Sequence, residues 1–161
     1  MNQSLLTRQA LAIKELIETM SATNGYNLEW GTVNQRNYAL GDFPRAEIYY
    51  PSEENLDTLA GIGSRDYTNA VTFEIHVAAK LNFSSDNPLF EINEQLDYAL
   101  DDLKMLFGKN PSIGGTCDSF LYRGYKRETK AVDQFIPTKM VTTWRAVYQQ
   151  DRQTPSQVSS S

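Results

Sequence analysis

The 161-residue chain has one cysteine and one histidine, so it can form no internal disulfide, and neither residue has a second of its kind to share a metal with. A typical zinc site draws on several Cys and His groups together, and such a set is missing. No run of about 18 apolar residues is present, and the N-terminus lacks the basic segment, apolar stretch and small-residue cleavage site of a secretory leader. The sequence therefore reads as a chain that crosses no membrane and is not visibly secreted, which fits a reducing compartment or a particle assembled in one. Positive charge is also scarce. Fifteen Lys and Arg stand against 20 Asp and Glu, a formal charge of −5, the wrong sign for a protein that grips phosphates over much of its surface.

What is present suits one globular domain. The length falls within the usual domain range of about 100 to 200 residues, and a chain of this size buries enough surface to stabilise itself without staples. Apolar residues make up 40% and charged residues 22%, close to ordinary globular usage. Residues 1–150 are expected to form the domain, and 151–161, short, polar and Ser-rich, a frayed tail.

Leu5, Leu6, Gln9, Ala12, Ile13, Leu16, Ile17 and Met20 recur at three- and four-residue steps. This predicts an amphipathic helix over 5–20, capped by Ser4 and ended by Asn24-Gly25. Residues 26–33 mix aromatic and β-branched side chains and are expected to form a short strand. Residues 45–50 alternate between Pro44 and Pro51, which are expected to end that strand on either side. Residues 71–79 give the clearest signal, with Val71, Phe73, Ile75, Val77 and Ala79 on one face and Thr72, Glu74 and His76 on the other. Residues 51–69 between these strands are too many for a turn, and a projecting arm or disordered loop is expected, with a short helical turn near 56–60. Asn87-Pro88 then opens a second helix whose apolar stripe runs from Leu89 to Phe107 and stops at Gly108. Asp97, Asp101 and Asp102 fall on its expected outer face. Residues 119–130 and 139–149 complete the set as two strands with apolar or aromatic residues on both faces. The order predicts an α+β fold, a mostly antiparallel sheet of four to five strands with both helices on one face.

The chemistry-bearing residues each admit a plain reading. His76 could serve as a base, with Cys117 or a loop carboxylate, in a small hydrolase or transferase. Without further ligands it reads more simply as a solvated or interface histidine, and Cys117 as a passive thiol. Gly61-Ile62-Gly63-Ser64 lacks the third glycine and the strand-to-helix setting of a phosphate cradle. Glu53, Glu54, Asp57 and Asp66 could hold a hard cation, but acids on a solvated loop are common and their spacing fits no calcium-hand pattern. Tyr122, Arg123, Tyr125, Lys126, Arg127 and Lys130 interleave rings and cations, which suits single-stranded nucleic acid or, in an acidic chain, a contact with the acids of an identical neighbour.

The order of these elements, with Ile48-Tyr49-Tyr50-Pro51, Val71-Thr72-Phe73-Glu74-Ile75-His76-Val77 and the closing Val141-Thr142-Thr143-Trp144-Arg145-Ala146-Val147-Tyr148, resembles the tail terminator proteins of long-tailed bacteriophages over nearly the whole chain. The resemblance implies a virion structural protein, assembled in the host cytoplasm. It would form a homohexameric ring at the head-proximal end of the tail, stop growth of the tail tube and dock the head. It implies no catalytic residue, cofactor or metal. Its partners would be further copies of itself, the tail tube protein and a head-completion or connector protein, with the genome passing through the ring unbound. Placed by element, Tyr122, Arg123, Tyr125, Arg127 and Arg145 become ring-contact candidates. Glu53, Glu54, Asp57, Arg65 and Asp66 become candidates for contact with tube or head. A head-completion, neck or tail-tube role in the same particle is the neighbouring reading.

Overall fold

A computed structural model describes residues 3–30, 33–34, 45–56, 66–79, 86–128, 139–151, 155 and 158. The first helix, α1 (Leu5–Glu18), begins where expected, because the Ser4 hydroxyl accepts a hydrogen bond from the Thr7 N–H at 3.2 Å. Replacing Ser4 by Ala removes this cap and is expected to cost about 1 kcal/mol, read as a lower thermal midpoint with unchanged oligomeric state. A 3-10 turn at Ala22–Asn24 follows and closes on Gly25, whose φ of +89° is the left-handed conformation glycine adopts without strain.

The strands are β1 (Val33–Asn34), β2 (Arg45–Asn55), β3 (Asp66–Ala78), β4 (Ser119–Glu128) and β5 (Lys139–Asp151), and the second helix, α2 (Pro88–Lys109), lies between β3 and β4. The sheet order is β1-β2-β3-β5-β4. β2, β3, β5 and β4 pair antiparallel, and the two-residue β1 lies parallel to β2. The fold is α+β, as the element order predicts.

Both helices cover one face of the sheet. Ile13 and Ile17 of α1 and Leu96, Leu103 and Phe107 of α2 share one apolar cluster with Ile48, Phe73, Ile75, Trp144 and Tyr148 of the strands. The alternation along β3 selects these partners. Its odd residues from Val71 to Val77 are sealed beneath the helices, and its even residues Thr72, Glu74 and His76 lie on the helix-free face.

Several expectations are corrected. Pro51 does not end its strand. Between Tyr49↔Glu74 and Ser52↔Thr72, β2 advances three residues against two on β3, so a bulge at Tyr50-Pro51 absorbs a residue that can donate no ladder bond. The connection expected over 51–69 shortens accordingly, with Glu53 and Glu54 in β2; the turn expected near 56–60 lies, apart from Leu56, outside the described residues. Residues 26–30 form no strand. Asp102 is not on the outer face of α2 but fully buried. The C-terminal segment folds back at one point, where Val158 bridges to Gln150 and packs on the core.

Candidate functional surface

β4 is hydrogen-bonded to β5 along one side, and among the described residues no strand pairs with its other side. Relative to the described residues, the outer side of this ten-residue strand offers a row of backbone donors and acceptors, the geometry a further strand can use. A bulge interrupts it. Tyr122 pairs with Trp144 and Gly124 with Thr143, so Arg123 is the extra residue. Gly124 takes a φ of +136°, which side-chain-bearing residues rarely adopt.

This bulge decides which cations are available. It shifts the alternation by one, so Tyr125 and Arg127 fall on the helix side opposite Thr142 and Met140. Arg127 then reaches α2 and donates to the side chains of Asn93 and Asp97. Its charge is committed within its own chain. Tyr122 is also turned inward, its ring 5.2 Å from that of Trp144 with the Lys104 ammonium 4.6 Å above it. Desolvation, followed by the neighbouring Tyr125, raises the Tyr122 phenol above its ordinary value. Arg123, Lys126, Leu121 and Tyr125 remain exposed, the last two half so. The rings and cations of this stretch are therefore divided between two faces and do not form one stacking row. Lys130 lies outside the described residues.

Arg145 is on the helix-free face, 3.8 Å from Glu54, whose side chain is 72% exposed. Glu53 falls on the helix side because of the β2 bulge, and its carboxylate accepts from the Tyr148 hydroxyl at 2.6 Å. Asp66 begins β3 opposite Asp151. Asp57, Arg65 and Gly61-Ile62-Gly63-Ser64 lie outside the described residues. The five residues expected to share one contact loop are thus divided, two on β2, one on β3 and two undescribed.

His76 stands on the helix-free face, with Nε2 2.9 Å from a Glu74 carboxylate oxygen and its ring 4.5 Å from that of Tyr49. Tyr49 in turn donates to Glu47 at 2.8 Å. Cys117 follows α2 and is buried in the core on the helix side. The sheet separates the two residues, so they form no nucleophile and base pair. Among the described residues no group of three His, Cys, Asp or Glu side chains could hold a metal ion, and no helix is long and apolar enough to cross a membrane.

Burial, reinforced by Asp118, pushes the Cys117 thiol from 9.0 up to about 12. Burial and then Glu53 likewise raise the Tyr148 phenol. Each group holds its proton more tightly folded than unfolded, so the contribution is complete below the ordinary values and is lost as pH rises beyond them. The expected result is a denaturation midpoint that falls progressively from about pH 9 to pH 12. A Cys117→Ala, Tyr148→Phe double variant should flatten that slope.

The Asp102 carboxylate accepts from the N–H of Asn27 at 2.8 Å, the N–H of Leu28 at 3.0 Å and the indole N–H of Trp30 at 3.2 Å. One sequence signal points to its burial. Its neighbours three residues back and four ahead on the helix are Ala99 and Leu106, both apolar. No family model matches the chain, and no curated protein matches it either.

Proposed function

We propose that this chain is a structural subunit of a long-tailed phage particle that caps the head-proximal end of the tail tube as a homohexameric ring, ending tube growth and docking the head. The observation that carries the assembly part of this reading is the outer β4 edge, with which no strand among the described residues pairs. It keeps Arg123 and Lys126 exposed on an acidic chain and sets Leu121 and Tyr125 beside them. An edge with exposed apolar side chains invites a strand, and cations on an acidic molecule favour further copies of the same acidic molecule. The tail-terminator part rests on the resemblance in element order. The partners that follow are the tail tube protein on one side of the ring and a head-completion or connector protein on the other.

The rival readings have less support. A hydrolase pairing His76 with Cys117 lacks the required proximity, and single-strand binding along β4 loses Arg127 to α2 and Tyr122 to the core. Electron microscopy of tubes polymerised with and without the protein tests the proposal. Tubes of fixed length, each bearing a terminal ring, are expected with wild type. A folded Arg123→Glu, Lys126→Glu variant should form rings at least about tenfold less tightly, because like charges then face each other. Tubes that grow past the protein unchanged would refute the reading.

A further inference from the structure

Among the described residues, the large apolar side chains left exposed are grouped. Phe90 and Tyr98 are on α2, Leu121 and Tyr125 are on β4, and Tyr67 stands apart on β3. Single exposed apolar residues are ordinary on a protein surface, whereas grouped ones mark a contact. On α2 the grouping follows from helical phase. Ile92, Leu96, Ala99, Leu103 and Leu106 form the buried stripe at steps of four and three residues. Phe90, Glu94, Tyr98 and Asp101 are two residues out of phase with it and so form a second stripe on the side away from the core. Phe90 is 61% exposed, and the Tyr98 phenol is hydrogen-bonded to Glu94. No Lys or Arg occurs in α2 before Lys104, so this outer stripe is both aromatic and negative.

The exposed part of β4 has the same make-up with the opposite sign. Leu121 and Tyr125 are half-exposed, and Arg123 and Lys126 are exposed beside them. The lengths agree as well. Phe90 to Asp101 covers roughly 16 Å at about 1.5 Å per helical residue, and residues 121–126 of an extended strand cover about the same length.

We infer that the outer stripe of α2, formed by Phe90, Glu94, Tyr98 and Asp101, receives residues 121–126 of β4 from a second copy of the chain. Arg123 and Lys126 then face Glu94 and Asp101, and Leu121 and Tyr125 cover the rings of Phe90 and Tyr98. A helix laid along a strand edge covers it as a further strand would. The two patches differ, so each copy gives β4 to one neighbour and receives on α2 from another, a head-to-tail contact that makes a ring when the rotation between copies closes. The pairing rests on the ring reading and names the surface that β4 meets.

Reciprocal charge reversal on the full chain, followed by sedimentation velocity and native mass spectrometry, tests the pairing. Glu94→Lys with Asp101→Lys is expected to weaken association at least about tenfold. It does so although each substitution changes the charge by two and the pair takes the chain from −5 to −1, a change that general repulsion between acidic copies would turn into tighter association. Arg123→Glu with Lys126→Glu should weaken association too, and mixing the two variants, or placing all four substitutions in one chain, should recover most of the loss. Phe90→Ala leaves every charge in place; it should weaken association several-fold with an unchanged thermal midpoint, and it serves as the test where a charge variant fails to fold. An α2 charge variant that associates as well as wild type or better, while the β4 variant does not, would overturn the pairing and leave the ring reading standing. Full association of Phe90→Ala would likewise overturn it. Rescue on mixing in complexes of only two subunits would uphold the pairing and overturn the hexamer, and a wild-type chain that is monomeric at every concentration would overturn both.

Discussion

Trp144→Ala is expected to destabilise the fold by roughly 3–5 kcal/mol, the range for removing a large buried aromatic side chain. The side chain is 2% exposed and lies at the centre of the helix-side core. Its ring stacks on Phe120 at 5.4 Å and meets Phe107 edge-on at 4.8 Å. Its indole N–H donates to the Thr142 hydroxyl at 2.8 Å, which donates in turn to the Ile75 carbonyl. Alanine would leave a cavity bounded by β4, β5 and α2, and the rings around it cannot close the gap without moving the sheet. Ordinary domains are stable by only about 5–15 kcal/mol, so this variant should be near the limit of folding. Urea denaturation followed by circular dichroism measures the loss; Trp144→Phe, which keeps most of the ring contact, should recover more than half of it.

Asp102→Ala is expected to cost roughly 3 kcal/mol or more, for a different reason. Hydrogen bonds to an ionised group contribute about 1.5–3 kcal/mol each, and donors left unsatisfied in a partly buried place carry their own penalty. Water reaching the freed segment limits the loss, so the cost is below the sum over three bonds. Tyr26 gives an independent check. Its phenol is raised by desolvation and then by the Asp102 charge, so its titration should move down in the variant.

How far the sequence could be read follows from these residues. The helices, the strand after residue 70 and the antiparallel sheet were legible because burial on one face imposes a period, and period survives in a bare sequence. What was hidden was phase. A bulge inserts one residue and exchanges the faces of everything after it, so Glu53 meets Tyr148 instead of a partner molecule and Arg127 meets Asp97 instead of a neighbouring ring subunit. Gly124 marks the second bulge in the sequence, yet a glycine in a strand indicates a break without giving its phase. Asp102 was obscured for another reason. Its partners are 72 to 75 residues away, and the apolar helix neighbours Ala99 and Leu106 point to burial without telling which distant N–H groups the carboxylate gathers.

We propose that the β4 edge, with which no strand among the described residues pairs, is met by copies of the same chain. Native mass spectrometry of the purified protein over a range of concentrations tests it most directly. The account predicts a closed assembly of identical subunits, expected to be six, that is lost when Arg123 and Lys126 are both replaced by Glu while the isolated subunit stays folded. A wild-type protein that remains monomeric at every concentration, alone and with tail tubes present, would contradict it.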